Sequence, residues 1–187
     1  VRKWMLVGLG NPGKRYRDTR HNAGFWILGA LAETGGWRFK KRAKFSAWLA
    51  EGEWKGDKLL LVKPATYVNT SGTVVKRLID YFGIPSRRTL LVVDDVNLPP
   101  GRLRIRRRGG AGGHHGLESV IAEIGVEDFP RLRLGVGGGE LEDLTGYVLS
   151  RVGKEERAIY KEAVGKAVAS ILNIIEDGLE SAMEITN

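Results

Sequence analysis

The side chains best suited to chemistry in this chain are an isolated histidine, His21, the aspartates Asp94 and Asp95, the amides of Asn11 and Asn69, and the adjacent His114 and His115. A histidine hydrogen-bonded to a buried carboxylate is held in one tautomer and can take a proton from water near neutral pH. Asparagine amides can hold that water or stabilise the oxyanion its attack creates. Such a set suits hydrolysis of an ester or activated acyl group by general-base catalysis.

Other chemistries fit less well. There is no cysteine, which excludes disulfides, a thiol nucleophile and thiolate zinc sites. A metal site would need His114 or His115 together with Asp94 and His21. Neighbours on one chain rarely face one ion, and no HExxH-type spacing occurs. Ser71 lies in Asn-Thr-Ser-Gly rather than GxSxG, so it is not a nucleophile elbow. Gly8, Gly10 and Gly13 have the GxGxxG spacing of a dinucleotide loop. Pro12 and a basic segment delay the helix that should receive the pyrophosphate, and the nearest acid, Glu33, falls near the end of that helix. We therefore expect neither metal nor cofactor. Plainer roles also exist: a solvated or structural His21, a turn cap at Asp94, a helix cap at Asn69.

These residues need elements to carry them. An apolar run at residues 4–7 reads as a buried strand, and Phe25, Ile27, Leu28, Leu31 and Ala32 as a helix stopping near Gly35-Gly36. Residues 37–44 hold five basic residues in eight. Residues 45–54 and 58–63 read as a hairpin turning at Lys55-Gly56-Asp57, with Pro64 ending its second strand. A helix follows through Val74, Val75, Leu78, Ile79 and Phe82 to Gly83. Residues 90–93 form a strand buried on both faces, delivering Asp94 to its end, with Asp95 pointing the other way. Residues 102–108 alternate, placing Arg102, Arg104 and Arg106 on one face. A second glycine-rich loop, 109–116, opens a helix over 117–124. Residues 131–136 read as a strand, 137–146 as a mobile loop and 154–176 as a long amphipathic helix. The expected fold is a single α/β domain over residues 1–187, a mixed, mostly parallel sheet with helices on both faces. Asn11 with His21, the stretch 63–69, Asp94-Asp95 and His114-His115 all fall at strand ends, where open sheets place their clefts.

Thirty Lys+Arg against 22 Asp+Glu give a net charge of +8. An excess of that size suggests an anionic partner, nucleic acid ahead of a membrane surface. Without a long apolar run or a charged-then-apolar leader, we expect a cytoplasmic protein with no membrane partner.

Four ordered blocks also carry a resemblance: Gly-Leu-Gly-Asn-Pro-Gly-x-x-Tyr-x-x-Thr-Arg-His-Asn-Ala-Gly (8–24), Lys-Pro-x-Thr-Tyr-Val-Asn-x-Ser-Gly (63–72), Asp-Asp-x-x-Leu-Pro-Pro-Gly (94–101) and Gly-Gly-His-x-Gly-Leu (112–117). Their order and spacing resemble the bacterial peptidyl-tRNA hydrolase family to about residue 178. The resemblance implies a monomeric, metal-free esterase that cuts peptide from the 3′ end of tRNA. It implies His21 as general base and Asp94 as the carboxylate orienting it. Asn11 would position the reacting groups near the tRNA 3′ end, and Asn69 would contact the peptide backbone and the catalytic water. Tyr16, Val68, His114 and His115 would line the substrate side of the cleft. His115 stands where the family usually has Asn, and Tyr67 and Val68 where Phe and Met are common. Arg104 and Arg106 would fall among the positions that grip tRNA phosphates; a charged edge strand is the plainer reading. Relatives of this family serve in organellar RNA splicing, so an RNA-binding protein without catalysis is the alternative.

Overall fold

An apolar run with no polar alternation forms a strand only where both faces are covered. The computed structural model, which describes residues 1–187, covers them. Its strands are β1 (Lys3–Gly8), β2 (Lys40–Arg42), β3 (Ala47–Trp54), β4 (Asp57–Pro64), β5 (Thr89–Asp95), β6 (Leu103–Arg106) and β7 (Arg131–Gly135). They form one sheet in the order β2-β3-β4-β1-β5-β7-β6. The centre, β4-β1-β5-β7, is parallel, and the pairings at both flanks are antiparallel.

The helices are α1 (Ala23–Gly35), α2 (Ser71–Phe82), α3 (His115–Ile124), α4 (Leu144–Val148), α5 (Lys154–Asp177) and α6 (Leu179–Thr186). Leu6, Leu61 and Val92 pack with Leu28 of α1 and Ile171 of α5 on one face of the sheet. Met5, Val7, Val62 and Leu91 pack with Leu78 of α2 and Val120 of α3 on the other. The expected α/β sandwich is thus present. No helix is long and apolar enough to cross a membrane.

Four local differences have physical causes. β2 lies in the basic stretch and is fully exposed; with no apolar periodicity of its own, it is held as an edge by pairing to β3. β3 begins at Ala47 because Phe45 closes a 3₁₀ turn and Ser46 takes a left-handed φ of 51°. Helix α6 follows Gly178 and buries Ala182, where the sequence reading stopped. The 137–146 segment, expected as a loop, is helical from Leu144, with Asp143 capping through Gly146 N–H.

The glycines of the first loop serve packing. A Cβ on Gly8 would collide with the Gly24 carbonyl, and one on Gly24 with the backbone of Val92 and Leu9. Only this pair lets the start of α1 rest on the ends of β1 and β5, setting His21 above Asp94.

Candidate active site

The carboxyl ends of β1, β4 and β5 converge on a cavity of about 640 Å³, bordered by Asn11, His21, Asn69, Asp94 and His114. At its floor His21 Nδ1 lies 2.9 and 3.0 Å from the two Asp94 carboxylate oxygens. His114 Nε2 lies 2.9 Å from Asp94 Oδ1. The Asp94 side chain is only 2% exposed, and those of His114 and His21 are 9% and 14% exposed.

Helix α3 decides the proton positions. His114 is its N-cap, and its Nδ1 accepts hydrogen bonds from the backbone N–H groups of Gly116 and Leu117. An accepting Nδ1 carries no proton, so in the neutral ring the proton is on Nε2 and is donated to Asp94. This cap also explains why α3 begins at His115 rather than Leu117. Asp94 in turn accepts the Nδ1–H of His21, which leaves His21 Nε2 unprotonated at the cavity. Burial works against the Asp94 charge, but the two imidazoles outweigh it and hold the carboxyl far below the usual carboxylate range. Burial alone would lower the His21 pKa; the charge and hydrogen bond of Asp94 outweigh it and raise it above 6.5.

Donor atoms of His21, Asp94 and His114 lie within 4.8 Å of one another, close enough to consider a metal ion. The helix cap opposes one: with Nδ1 accepting two backbone hydrogen bonds, a neutral His114 has no lone pair on Nε2 to give.

Asn11 is fixed from three sides. Its Oδ1 accepts from Val68 N–H at 2.9 Å, its own N–H donates to Asn22 Oδ1 at 2.8 Å, and Asn22 Nδ2 returns a bond to the Asn11 carbonyl at 3.0 Å. With Oδ1 engaged, the Nδ2 donors remain for the cavity. Asn69 lies in a 3₁₀ turn, and no side chain caps that turn or α2, so the capping role is not realised. Tyr16 meets Tyr67 edge-on at 6.3 Å across the cavity mouth. Buried Val68 packs where a Cβ on Gly116 would intrude, joining the β4 end to α3.

The family profile described as peptidyl-tRNA hydrolase matches residues 5–187. A peptidyl-tRNA hydrolase from Caldanaerobacter subterraneus subsp. tengcongensis is 42% identical over 98% of this chain and 99% of its own. One from Chloroflexus aggregans is 43% identical over 98% of each. The chain belongs to the peptidyl-tRNA hydrolase family. The fold agrees: peptidyl-tRNA hydrolase from Acinetobacter baumannii superposes with a TM-score of 0.93 at 34% identity, covering 98% of this chain and 94% of that one.

Of the residues singled out in the sequence, Asn11, Tyr16, His21, Val68, Asn69, Asp94, His114 and His115 border this one cavity. His114, expected on the substrate side, uses both ring nitrogens inside the protein. His115 points away from it, 71% exposed at the cavity rim, with Nδ1 3.1 Å from Glu118 Oε2. Arg104 and Arg106 do not border the cavity. They stand on β6 opposite Arg133 and Arg131 of β7, so the four share one sheet face. Arg133 does reach the cavity, 3.5 Å from Asp95 Oδ2, and was missed because 131–136 read only as a strand. Arg131 is fully buried and donates to the carbonyls of Gly109, Gly110, Glu127 and Phe129, tying down the second glycine loop. Lys63, expected at the cleft, lines a separate cavity.

Asn22 and Arg20 were also missed, although both flank His21 in the first block. Arg20 lies 4.2 Å over the Tyr147 ring and donates to Ser150 Oγ at 2.6 Å and Glu156 Oε2 at 2.7 Å. It thereby ties α4, which overhangs the cavity, to the segment carrying His21.

Proposed function

We propose that this chain hydrolyses the ester between a peptide and the 3′ end of tRNA, with His21 as general base. The observation that carries this reading is the chain of hydrogen bonds from the α3 cap through His114 and Asp94 to His21, which leaves an unprotonated Nε2 at the cavity.

In the reaction, His21 Nε2 takes a proton from water as the water oxygen bonds to the ester carbonyl carbon. The imidazolium formed is stabilised by the ionised Asp94. Asn11 Nδ2 and Asn69 hold the water and the carbonyl oxygen, on which negative charge develops. As the tetrahedral intermediate collapses, the C–O bond to the ribose breaks and His21 returns its proton to the leaving ribose oxygen. The products are a free carboxylate and a free tRNA 3′ end. Arg104, Arg106 and Arg133 form a basic face beside the cavity suited to tRNA phosphates. The enzyme works as a cytoplasmic monomer in this reading.

The test is cleavage of an N-blocked aminoacyl-tRNA in chelator by the native protein and by His21→Ala. Removing the general base should lower kcat by about 10²–10⁴-fold while tRNA binding persists. Tight tRNA binding by a native protein that cleaves nothing would instead identify an RNA-binding module on this fold.

A further inference from the structure

A second cavity, of about 350 Å³, lies beside the first and shares only Asn11 with it. That volume is at the lower end of small-ligand sites, roughly 300–1,000 Å³. Its walls are aromatic: Phe25 and Trp26 from α1, Phe39 ahead of β2, and Trp48 from β3. Lys63 enters from the end of β4, beside its cross-strand neighbour Trp48. Its ammonium sits 4.4 Å from the centre of the Phe39 ring and 5.8 Å from that of Phe25. No carboxylate lines the cavity, and Lys14 and Arg17 stand exposed at its rim. The Lys63 pKa is lowered by burial alone, with no acidic group acting on it.

An ammonium withdrawn from water needs compensation. Ring faces provide some through cation–π attraction but accept no conventional hydrogen bond from its three donors. An anion suits those three donors, and the aromatic walls suit a flat ring attached to it. In peptidyl-tRNA the peptide's terminal carboxyl is tied up in the ester, so the anions nearest the reacting bond are phosphodiesters. Stacking on aromatic side chains is how single-stranded RNA bases are commonly held.

We propose that this cavity takes one nucleotide of the single-stranded tRNA 3′ end, its base against the aromatic walls and its phosphate on Lys63, Lys14 and Arg17. The inference rests on the peptidyl-tRNA reading and adds a subsite to it. Asn11, touching both cavities, would then link nucleotide capture to placement of the ester.

Trp26 and Trp48 line this cavity and no tryptophan lines the first, so tryptophan fluorescence reports on it selectively. Titration with the trinucleotide CpCpA should give saturable quenching in the native protein. Lys63→Met, which keeps the stem and removes the charge, should weaken that binding about tenfold, as for one lost charged hydrogen bond. The same variant should raise KM for an N-blocked aminoacyl-tRNA and leave kcat in place. If Lys63→Met does not fold, the double variant Lys14→Ala with Arg17→Ala should act in the same direction.

No saturable quenching in the native protein, or equal affinity in native and variant, overturns the subsite. Native cleavage accompanied by that result leaves the hydrolase reading intact. Conversely, Lys63-dependent quenching in a native protein that does not cleave supports the nucleotide site and removes the hydrolase.

Discussion

Asp94 and Lys63 stand at the ends of β5 and β4, the two strands that flank β1 in the sheet, yet their charges are treated in opposite ways. Asp94 is buried and accepts hydrogen bonds from two imidazoles, one of them fixed by a helix N-terminus. Lys63 is partly buried among aromatic rings with no acidic partner. Withdrawal from water is costly for both groups. For Asp94 the fold itself supplies the compensation, and the result is a rigid arrangement that fixes which nitrogen of His21 can act as a base. For Lys63 the fold supplies only ring faces. One charge organises the protein around itself; the other is available to organise something that arrives.

Removing the two charges is the strongest way to test that contrast. Asp94→Ala leaves the Nδ1–H of His21 and the Nε2–H of His114 without an acceptor, and it should destabilise the fold by about 3–5 kcal/mol. It should also lower kcat by roughly 10²–10⁴-fold by freeing the His21 tautomer. Lys63→Met strands no buried partner, so its unfolding midpoint in urea should equal or exceed that of the native protein. A Lys63→Met protein destabilised as much as Asp94→Ala would mean that Lys63 is compensated within the fold after all, and the contrast would fail.

A smaller effect is expected from pH. His21 acts as a base only when neutral, so kcat/KM should rise with pH through its raised pKa, with the midpoint above 6.5. Asp94→Asn removes the charge that raises it, and the midpoint should move down. A midpoint unmoved in Asp94→Asn would separate Asp94 from the titration of His21. Stability should follow the same shifts. The raised His21 pKa contributes stability that is full below the unfolded value and lost as pH rises through the folded one. The depressed Asp94 pKa contributes stability present above the unfolded value of 3.8 and lost as pH falls toward the folded one.

Much of this was legible in the sequence because the signals were local. Apolar runs marked β1 and β5 as central strands, and their carboxyl ends marked where Asn11, His21 and Asp94 would meet. Alternation placed Arg104 and Arg106 on one face, and the structure keeps them there. What escaped depended on neighbours distant in the chain. Arg133 reads as strand filler until β6 supplies Arg104 beside it. β2 has no pattern of its own and exists through its pairing with β3. His114 and His115 are indistinguishable as neighbours in a glycine loop. Only the helix that begins between them turns one toward Asp94 and the other toward Glu118.

That divergence leads to the smallest predicted effect. His115 is the third ring near the site, but it stands outside the cluster that fixes His21, exposed and paired with Glu118 on its own helix. His115→Asn changes no buried hydrogen bond, so stability should move by no more than about 0.5 kcal/mol. Its amide could hold a water through both a donor and an acceptor, whereas a neutral imidazole engaged with Glu118 offers only its remaining nitrogen. Any gain in kcat should therefore be modest, a factor of a few, set against the loss expected at Asp94. Steady-state cleavage of N-blocked aminoacyl-tRNA by His115→Asn measures it directly. A rise of tenfold or more would place His115 in the reaction rather than at its rim, and the boundary of the rigid cluster would have to be drawn to include it.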